Sequence, residues 1–266
     1  MNGGLFSLAG RRALVTGANT GIGRALALGL AAQGADLILH HLHDPEGITG
    51  VRDRAAAMGR QAMVMEADFS EPAAAKGLAD AALAQHGPID ILIANAAIER
   101  RSAWEHLTDG DIAMHVAVNF ASLLTLTRKL VPGMAERNWG RVVAIGSVLA
   151  TRPRAETVVY AALKSAQLTA IRAIGREVAG KGVTMNVISP GAIETERNAQ
   201  RYGDAEFRRA VAAKIPVGRP GRPEDCVGPV LMLCSDAGGY ITGANIPVDG
   251  GWSIGDAPIT LAGAAS

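Results

Sequence analysis

The sequence is poor in the residue types that mark several classes of protein. Its 266 residues include only three Trp, three Tyr and four Phe, too few for the aromatic platforms that bind single-stranded nucleic acid. Its 26 Lys and Arg are balanced by 25 Asp and Glu, so the basic excess of a nucleic-acid-binding domain is missing. Two cysteines cannot build a disulfide framework, and nothing therefore calls for an oxidising compartment.

The sequence also lacks an uninterrupted apolar run of the ~18 residues that a membrane span needs. The first residues, MNGGLFSLAGRR, do not show the basic segment and long apolar stretch of a secretory signal. Arg11 and Arg12 resemble a twin-arginine signal, but the following ALVTG is typical of a strand that ends in a glycine turn. We therefore expect a cytoplasmic protein with neither a membrane nor a nucleic acid as its partner.

Short apolar segments alternate with longer, alanine-rich amphipathic segments along most of the chain. The short segments predict strands buried on both faces, and the long ones predict helices. The predicted strands are 13–15, 36–39, 62–65, 89–94, 142–145 and 183–188, with a last strand within 243–252. The predicted helices are 22–33, 47–58, 71–86, 111–137 and 158–180. Gly34, Gly59, Gly87 and Gly140 follow helical segments, where a left-handed cap favours glycine.

This alternation predicts right-handed crossovers and a parallel sheet of about seven strands with helices on both faces. The predicted fold class is α/β, a doubly wound Rossmann-type sheet. No low-complexity linker or fixed-period repeat divides the chain, so residues 1–266 are predicted to form a single domain. The segment 192–223 is irregular, rich in charge and ends in Pro and Gly, which indicates a mobile insertion over a site.

A glycine-rich turn follows the first predicted strand and precedes a helix. Its spacing is G-x-x-x-G-x-G, formed by Gly17, Gly21 and Gly23 with Asn19, Thr20 and Ile22 between them. Glycine lets a ligand approach the main chain, and the helix N-terminus offers free N–H groups and partial positive charge to a pyrophosphate. The alternative is a tight strand-to-helix turn that binds nothing.

The end of the second strand reads His40-His41-Leu42-His43-Asp44. In a dinucleotide fold an acid at this strand end accepts from the ribose 2′-hydroxyl of NAD, and an arginine accommodates the 2′-phosphate of NADP. Neither residue type stands there, and a partly protonated His41 could help to bind the phosphate, so we favour NADP. Neighbouring strand residues point to opposite faces, so the histidines fit a metal ion poorly and no metal site is predicted.

Tyr160 and Lys164 stand four residues apart in a predicted helix and therefore share one face. A cation on that face favours the phenolate and would lower the tyrosine pKa from about 10 towards neutrality. Ser147 follows a predicted strand at the carboxyl edge of the sheet, where its hydroxyl could bond a substrate oxygen. Alone, the Tyr–Lys pair is more typical of an exposed helix surface; the upstream glycine turn and Ser147 favour chemistry.

These motifs resemble those of the short-chain dehydrogenases/reductases, in their compact single-domain branch, over essentially the whole chain. The resemblance implies that Tyr160 is the general acid/base, that Lys164 lowers its pKa and holds the nicotinamide ribose, and that Ser147 orients the substrate oxygen. It implies that Asn119 completes a catalytic tetrad by supporting a water linked to Lys164. Beside the glycine turn and His41, the remaining residues expected to bind the cofactor NAD(P) are Asp68, Phe69, Asn95, Ala96, Ala97, Pro190, Gly191, Ile193 and Thr195.

The chain departs from the family at Ala97, where Asn95-Ala96-Ala97 replaces the usual N-A-G and adds a methyl group beside the cofactor. The resemblance also implies a homotetramer or a dimer. Cys226 and Cys234 lie eight residues apart in an apolar segment, so we expect buried, unreactive thiols.

The resulting hypothesis is an NAD(P)-dependent oxidoreductase that interconverts a secondary alcohol and a carbonyl. Charged segments at 99–101, 152–156 and 194–209 should rim the site, which favours a polar small molecule such as a sugar, polyol or oxo-acid. Alternatively, these charges only solvate the insertion. A second hypothesis is a 3-oxoacyl thioester reductase, in which Arg197 and Arg201 meet a phosphopantetheine carrier. A third is a non-catalytic cofactor-binding sensor or scaffold, which would not need Asn119, Ser147, Tyr160 and Lys164 together.

Overall fold

The structure, a computed structural model, describes residues 4–255 and contains one parallel sheet of seven strands. The strand order is β3-β2-β1-β4-β5-β6-β7. The strands are β1 (Arg12–Val15), β2 (Asp36–His41), β3 (Ala62–Glu66), β4 (Ile91–Ala94), β5 (Gly140–Ile145), β6 (Val183–Pro190) and β7 (Asn245–Val248). Every neighbouring pair is parallel. The predicted doubly wound α/β fold is therefore confirmed.

Helices cover both faces of this sheet. They are α1 (Gly21–Ala32), α2 (Pro45–Ala57), α3 (Ala74–His86), α4 (Asp109–Val116), α5 (Ser122–Glu136), α6 (Val158–Val178), α7 (Ala199–Gly203), α8 (Ala205–Ala212) and α9 (Val227–Cys234). Alternate strand residues separate into two apolar cores, as the pleat requires. Ile91 and Ile93 pack with α1, α2 and α9, whereas Leu92 packs with α3, α5 and α6.

The strand order of the sheet reverses at β1. This strand pairs with β2 on one side and with β4 on the other, so that Val15 lies beside both Leu39 and Ile93. In open α/β sheets the crevice outside the carboxyl ends of the strands at such a switch point is where ligands bind. The segments that follow β1 and β4 therefore define the place to look for a site.

The predicted helix at 111–137 is not a single regular helix. It begins at Asp109, because the Thr108 side chain caps the first turn by accepting from Asp111 N–H at 3.1 Å. The segment Ala117–Ala121 between α4 and α5 is a π-helical turn. Such turns cost regular hydrogen bonds and occur often at functional sites.

Three of the four predicted glycines follow a helix with a positive φ, although the ψ of −159° at Gly87 lies outside the left-handed helical region, and the fourth prediction is wrong. Gly34, Gly59 and Gly87 have positive φ angles, which a helix C-terminus favours in glycine. Gly140 instead begins β5, where a Cβ would lie 2.6 Å from the Cβ of Met134 on α5. Close packing of the strand against the helix therefore requires this glycine. The left-handed residue after α5 is Asn138, with a φ of 52°.

The continuous helical stretch Asp109–Glu136 is 28 residues long and has a mean hydropathy of 1.2 over its most apolar window. By length and composition it could cross a membrane, although its sequence holds no uninterrupted apolar run of that length. Its apolar face, including Leu123, Leu126 and Leu130, lies in the protein core against the sheet. A core helix of a globular domain passes the same test of length and composition.

Replacing Leu92 by Ala tests the packing of the central strand. Leu92 is fully buried, so Leu92→Ala should lower the free energy of unfolding by about 2–5 kcal/mol. The matched variant Met58→Ala, at a side chain that is 42 % exposed, should change it by only about 0.5 kcal/mol. Urea unfolding of both variants measures the difference. Equal losses would contradict the assignment of Leu92 to the core.

Candidate active site

The crevice at the switch point is held open by a network between the ends of β1 and β4. Thr16 Oγ1 accepts hydrogen bonds from Asn95 N–H at 2.9 Å and from Ala96 N–H at 3.0 Å. Asn95 Nδ2 in turn donates to the carbonyl oxygens of Thr16 and Gly17, both at 2.9 Å. The next residue, Ala97, has an ordinary negative φ, so its methyl group is tolerated by the backbone.

The glycine turn between β1 and α1 leaves its main chain open. Gly17 and Gly21 have φ angles of +62° and +53°, and a Cβ on Gly23 would collide with the carbonyl oxygen of Gly17. The amides of Ile22 and Gly23 have no hydrogen-bond acceptor within residues 4–255. Free amides at a helix N-terminus fit the diphosphate of a dinucleotide.

The predicted adenosine side of the crevice is built on a stacked pair of rings. His40 lies parallel to Phe69, with their centroids 4.3 Å apart, and its Nδ1 accepts from Gly17 N–H at 3.1 Å. Burial lowers the pKa of His40 to about 4, so this imidazole is neutral. The Asp68 carboxylate, which the resemblance assigns to the adenine, accepts from the backbone and hydroxyl of Ser70, and these bonds lower its pKa.

His41, on which the preference for NADP rested, is only 3 % exposed, and its Nδ1 accepts from Asp44 N–H at 3.3 Å. A phosphate contact by this imidazole stays a prediction. The sequence interpretation missed the carboxylate of Asp44. It lies 2.7 Å from Asn19 Nδ2 and also accepts from Gly47 N–H at 2.9 Å, which caps α2. Asp44 thus ties α2 to the glycine turn.

The amine of Lys164 lies inside the protein at the carboxyl end of β5. Its Nζ donates to the carbonyl oxygen of Ile145 at 2.6 Å, and the residue is 2 % exposed. It forms no ion pair with a carboxylate among the described residues. Burial without a counter-charge lowers the pKa of Lys164 to about 7.

Tyr160 lies one turn before Lys164 on α6, with the amine 5.4 Å from the centre of its ring. Its pKa is raised in the free protein, first by burial and then by the negative charge of Glu99, while a hydrogen bond with Ser147 opposes the shift. Lys164 is not among the causes of this shift, so its expected effect on the Tyr160 pKa stays a prediction. The phenol is a proton donor until a ligand changes its surroundings.

Asn119 lies in the π-helical turn, and both ends of its amide bond the backbone of Ile98 at 2.9 Å. Its own carbonyl accepts from the side chain of Gln167, which lies one turn beyond Lys164 on α6. The sequence interpretation missed Gln167 because a single Gln in an amphipathic helix carries no distinguishing signal. The water-supporting role of Asn119 stays a prediction.

The segment that follows β6 brings the predicted nicotinamide residues to the glycine turn. A Cβ on Gly191 would lie 2.7 Å from the Cβ of Asp249, so glycine allows the chain to pass β7. Ile193 is buried and pairs with Gly221 in an isolated bridge, which closes the base of 192–223. The methyl group of Thr195 lies 3.2 Å from the Cβ position of Gly21.

Both cysteines lie outside this site. Cys226 and Cys234 are free and fully buried, and burial raises the pKa of each thiol to about 12. Buried thiols with raised pKa values are poor nucleophiles, in agreement with the packing role that the sequence predicts.

Comparisons with known proteins agree with this geometry. The family model described as enoyl-(acyl carrier protein) reductase matches residues 17–253. The chain is 38 % identical to the 2-dehydro-3-deoxy-D-gluconate 5-dehydrogenase of Pseudoalteromonas atlantica over 93 % of this chain and 97 % of that protein.

Two solved structures share the fold and much of the sequence. One is a 3-oxoacyl (acyl-carrier-protein) reductase from Agrobacterium tumefaciens with NADP bound, with 40 % identity, a TM-score of 0.89 and coverage of 92 % of this chain and 95 % of that one. Another is a gluconate 5-dehydrogenase from Burkholderia cenocepacia in complex with NADP and tartrate, with 31 % identity, a TM-score of 0.87 and coverage of 94 % and 98 %.

The chain belongs to the short-chain dehydrogenases/reductases. It is an NAD(P)-dependent oxidoreductase that acts on the CH–OH group of a small molecule.

Replacing Lys164 by Met tests the buried amine through the pH dependence of stability. Between about pH 7 and pH 10 the folded protein binds fewer protons at this site than the unfolded chain, so Lys164 makes stability rise with pH. The wild-type free energy of unfolding should therefore rise relative to that of Lys164→Met across this window, as measured by urea unfolding. The two buried thiols contribute equally to the free energy of unfolding of both proteins, so their contribution cancels in the difference. A flat difference would show that Lys164 titrates as in water.

Replacing Tyr160 by Phe removes the hydroxyl and keeps the ring. Turnover should fall by about 10²–10⁴-fold, the usual contribution of a general acid, while cofactor binding measured by fluorescence is retained. Tyr240→Phe, at a fully exposed tyrosine, is the matched control and should keep its turnover. Unchanged turnover in Tyr160→Phe would remove this residue from the mechanism.

Proposed function

We propose that the protein oxidises a secondary alcohol of a sugar acid, or reduces the corresponding ketone, with NADP as its preferred cofactor. The observation that carries the reaction is the cluster at the carboxyl end of β5. There Ser147, Tyr160 and the buried amine of Lys164 lie within one helical turn and one strand end of each other. The glycine turn with its free amides faces the same crevice.

Tyr160, Ser147 and Lys164 each have a separate role in the proposed reaction. When bound, the nicotinamide supplies or accepts the hydride. In reduction, Tyr160 Oη–H gives a proton to the carbonyl oxygen, since its raised pKa keeps the phenol protonated in the free protein. In oxidation, the Tyr160 proton first passes to solvent, and the resulting phenolate accepts the proton of the alcohol. The Ser147 hydroxyl, at the N-terminus of a short helical turn, orients that oxygen. Lys164 holds the nicotinamide ribose and modulates the charge beside Tyr160.

A polar substrate is supported by the rim of the crevice. Some of its arginines are paired with carboxylates: Arg101 with Glu99 at 2.9 Å and Arg208 with Glu194 at 2.8 Å. Arg154, on the loop that leads into α6, forms no ion pair with a carboxylate among residues 4–255. This exposed guanidinium is available to the carboxylate of a sugar acid.

The sugar-acid assignment is also supported by the relatives. The Pseudoalteromonas protein is a dehydrogenase of a deoxygluconate, and the Burkholderia enzyme was crystallised with tartrate, a hydroxylated dicarboxylate. The alternative is a 3-oxoacyl thioester reductase, as the Agrobacterium relative is named. For that reaction Arg197 and Arg201 on 192–223, which form no ion pair with a carboxylate among the described residues, would meet the carrier.

NADP is supported by the bound cofactor of the solved relatives.

We also propose a cytoplasmic protein that assembles as a homotetramer or dimer and covers its site with the mobile segment 192–223. Apolar side chains on helices α4 and α6 support assembly, since Ile112, Val116 and Val158 are 39 %, 38 % and 49 % exposed. A second copy of the chain would bury them.

A turnover screen at the absorbance of the reduced nicotinamide tests this proposal. We expect oxidation of aldonic and deoxyaldonic acids, with a KM for NADP lower than that for NAD. The matched control is the neutral sugar or polyol of the same chain length, which lacks the carboxylate and should show a higher KM. Turnover of 3-oxoacyl thioesters alone would favour the second candidate. Turnover of hydrophobic ketones alone would exclude both polar assignments, and a lower KM for NAD would contradict the NADP assignment.

A further inference from the structure

The carboxylate of Glu196 lies on the glycine turn, although 175 residues separate it from Gly21. Its Oε2 accepts from Gly21 N–H at 3.0 Å and from the Thr20 hydroxyl at 2.9 Å. Its Oε1 pairs with the guanidinium of Arg24 in the first turns of α1. Three donors of the cofactor turn thus converge on one anion supplied by the chain itself.

The local sequence explains why this carboxylate reaches the turn. Thr195 N–H donates to Asn198 Oδ1 at 2.8 Å, and Asn198 Nδ2 donates to the carbonyl of Ile193 at 2.8 Å. These bonds fold 193–198 into a tight turn that directs Glu196 towards α1. The contact of Glu196 with the glycine turn and Arg24 joins 192–223 to the first turn of α1, and we call it the latch.

Glu196 is ionised in this contact. Burial alone would raise its pKa, but the hydrogen bonds of the turn and the charge of Arg24 outweigh burial and lower the pKa. A helix N-terminus favours an anion of either origin, a carboxylate or a phosphate. The single Gly21 N–H can donate a short, linear hydrogen bond either to the Glu196 carboxylate or to a phosphate, but not to both.

We propose that Glu196 is an internal ligand of the glycine turn that the cofactor diphosphate displaces, so that binding of the cofactor releases the latch between 192–223 and α1. Glu196 is therefore a residue that sets cofactor affinity by competition. The displaced carboxylate leaves Arg24 free to face the incoming phosphates. The proposal rests on the cofactor and not on the identity of the substrate.

The competition is measured by calorimetric titration of Glu196→Gln with three probes: NADPH, ADP-ribose and adenosine 2′-phosphate. The amide keeps the size of the side chain and loses the charge that holds the latch. The Kd of NADPH and ADP-ribose, which carry the diphosphate, should fall by about threefold to tenfold, the strength of a half-exposed, charge-assisted contact. The Kd of adenosine 2′-phosphate, which has no diphosphate, should stay unchanged.

Glu194→Gln is the matched control, because Glu194 lies two residues away, pairs with Arg208 and makes no contact with the turn. It removes the same charge from the same segment and should leave the Kd of NADPH unchanged. Equal tightening in both variants would reduce the effect to general electrostatics and overturn the proposal. An unchanged or weaker Kd in Glu196→Gln would also overturn it, the weaker one by showing that Glu196 clamps the bound cofactor.

Tryptic cleavage provides a second readout that a change in long-range charge alone would not move. Without cofactor, Glu196→Gln should be cut faster than wild type after the arginines of 192–223, because the latch is weakened. NADPH should increase cleavage of wild type at Arg197, next to the released carboxylate. Equal cleavage of the two cofactor-free proteins would contradict the latch. Neither readout requires turnover, so a wrong substrate assignment leaves this test intact.

Discussion

The buried amine of Lys164 is the constraint on which the site depends. A charged or chargeable group inside a protein needs a partner, and the only acceptor at hydrogen-bond distance among the described residues is the carbonyl of Ile145. That bond joins α6 to the carboxyl end of β5. One turn earlier on the same helix, Tyr160 lies beside Ser147, at the edge of the sheet where ligands bind in this fold.

A second constraint is that the diphosphate side of the crevice is built from backbone and not from basic side chains. Gly17, Gly21 and Gly23 expose the main chain, and the Thr16–Asn95 network holds their turn in place. This explains how a chain with a net charge of +1 can offer an anion site. It also explains why a single carboxylate, Glu196, can occupy donors of that site.

The sequence alone could predict the strands, the switch-point turn and the catalytic types of residue, since these follow from periodicity and short-range spacing. The π-helical turn that holds Asn119 could not be predicted from spacing, and the hydrogen bonds of Asn119 with Ile98 and Gln167 join segments that no local pattern relates. The role of Gly140 was misassigned for the same reason. Its requirement arises from packing against Met134 and not from the end of a helix.

Charge states were the least predictable feature. Spacing placed Lys164 beside Tyr160 correctly, but only the structure shows that Lys164 is buried and Tyr160 half-buried. Desolvation raises the pKa of Tyr160 and lowers that of Lys164, so both groups favour their neutral forms. In the free protein Tyr160 is therefore a protonated phenol and not a phenolate. The contact of Glu196 with the turn likewise joins segments that no local pattern relates.

The most direct test of this account is the pKa of Lys164 itself. Selective ¹⁵N labelling of lysine, with Lys164→Met to assign the resonance, follows the side-chain nitrogen through a pH titration of the cofactor-free protein by NMR. We expect a midpoint at about 7. A midpoint at about 10.4, the value of lysine in water, would contradict the buried, unpaired amine on which the site is built.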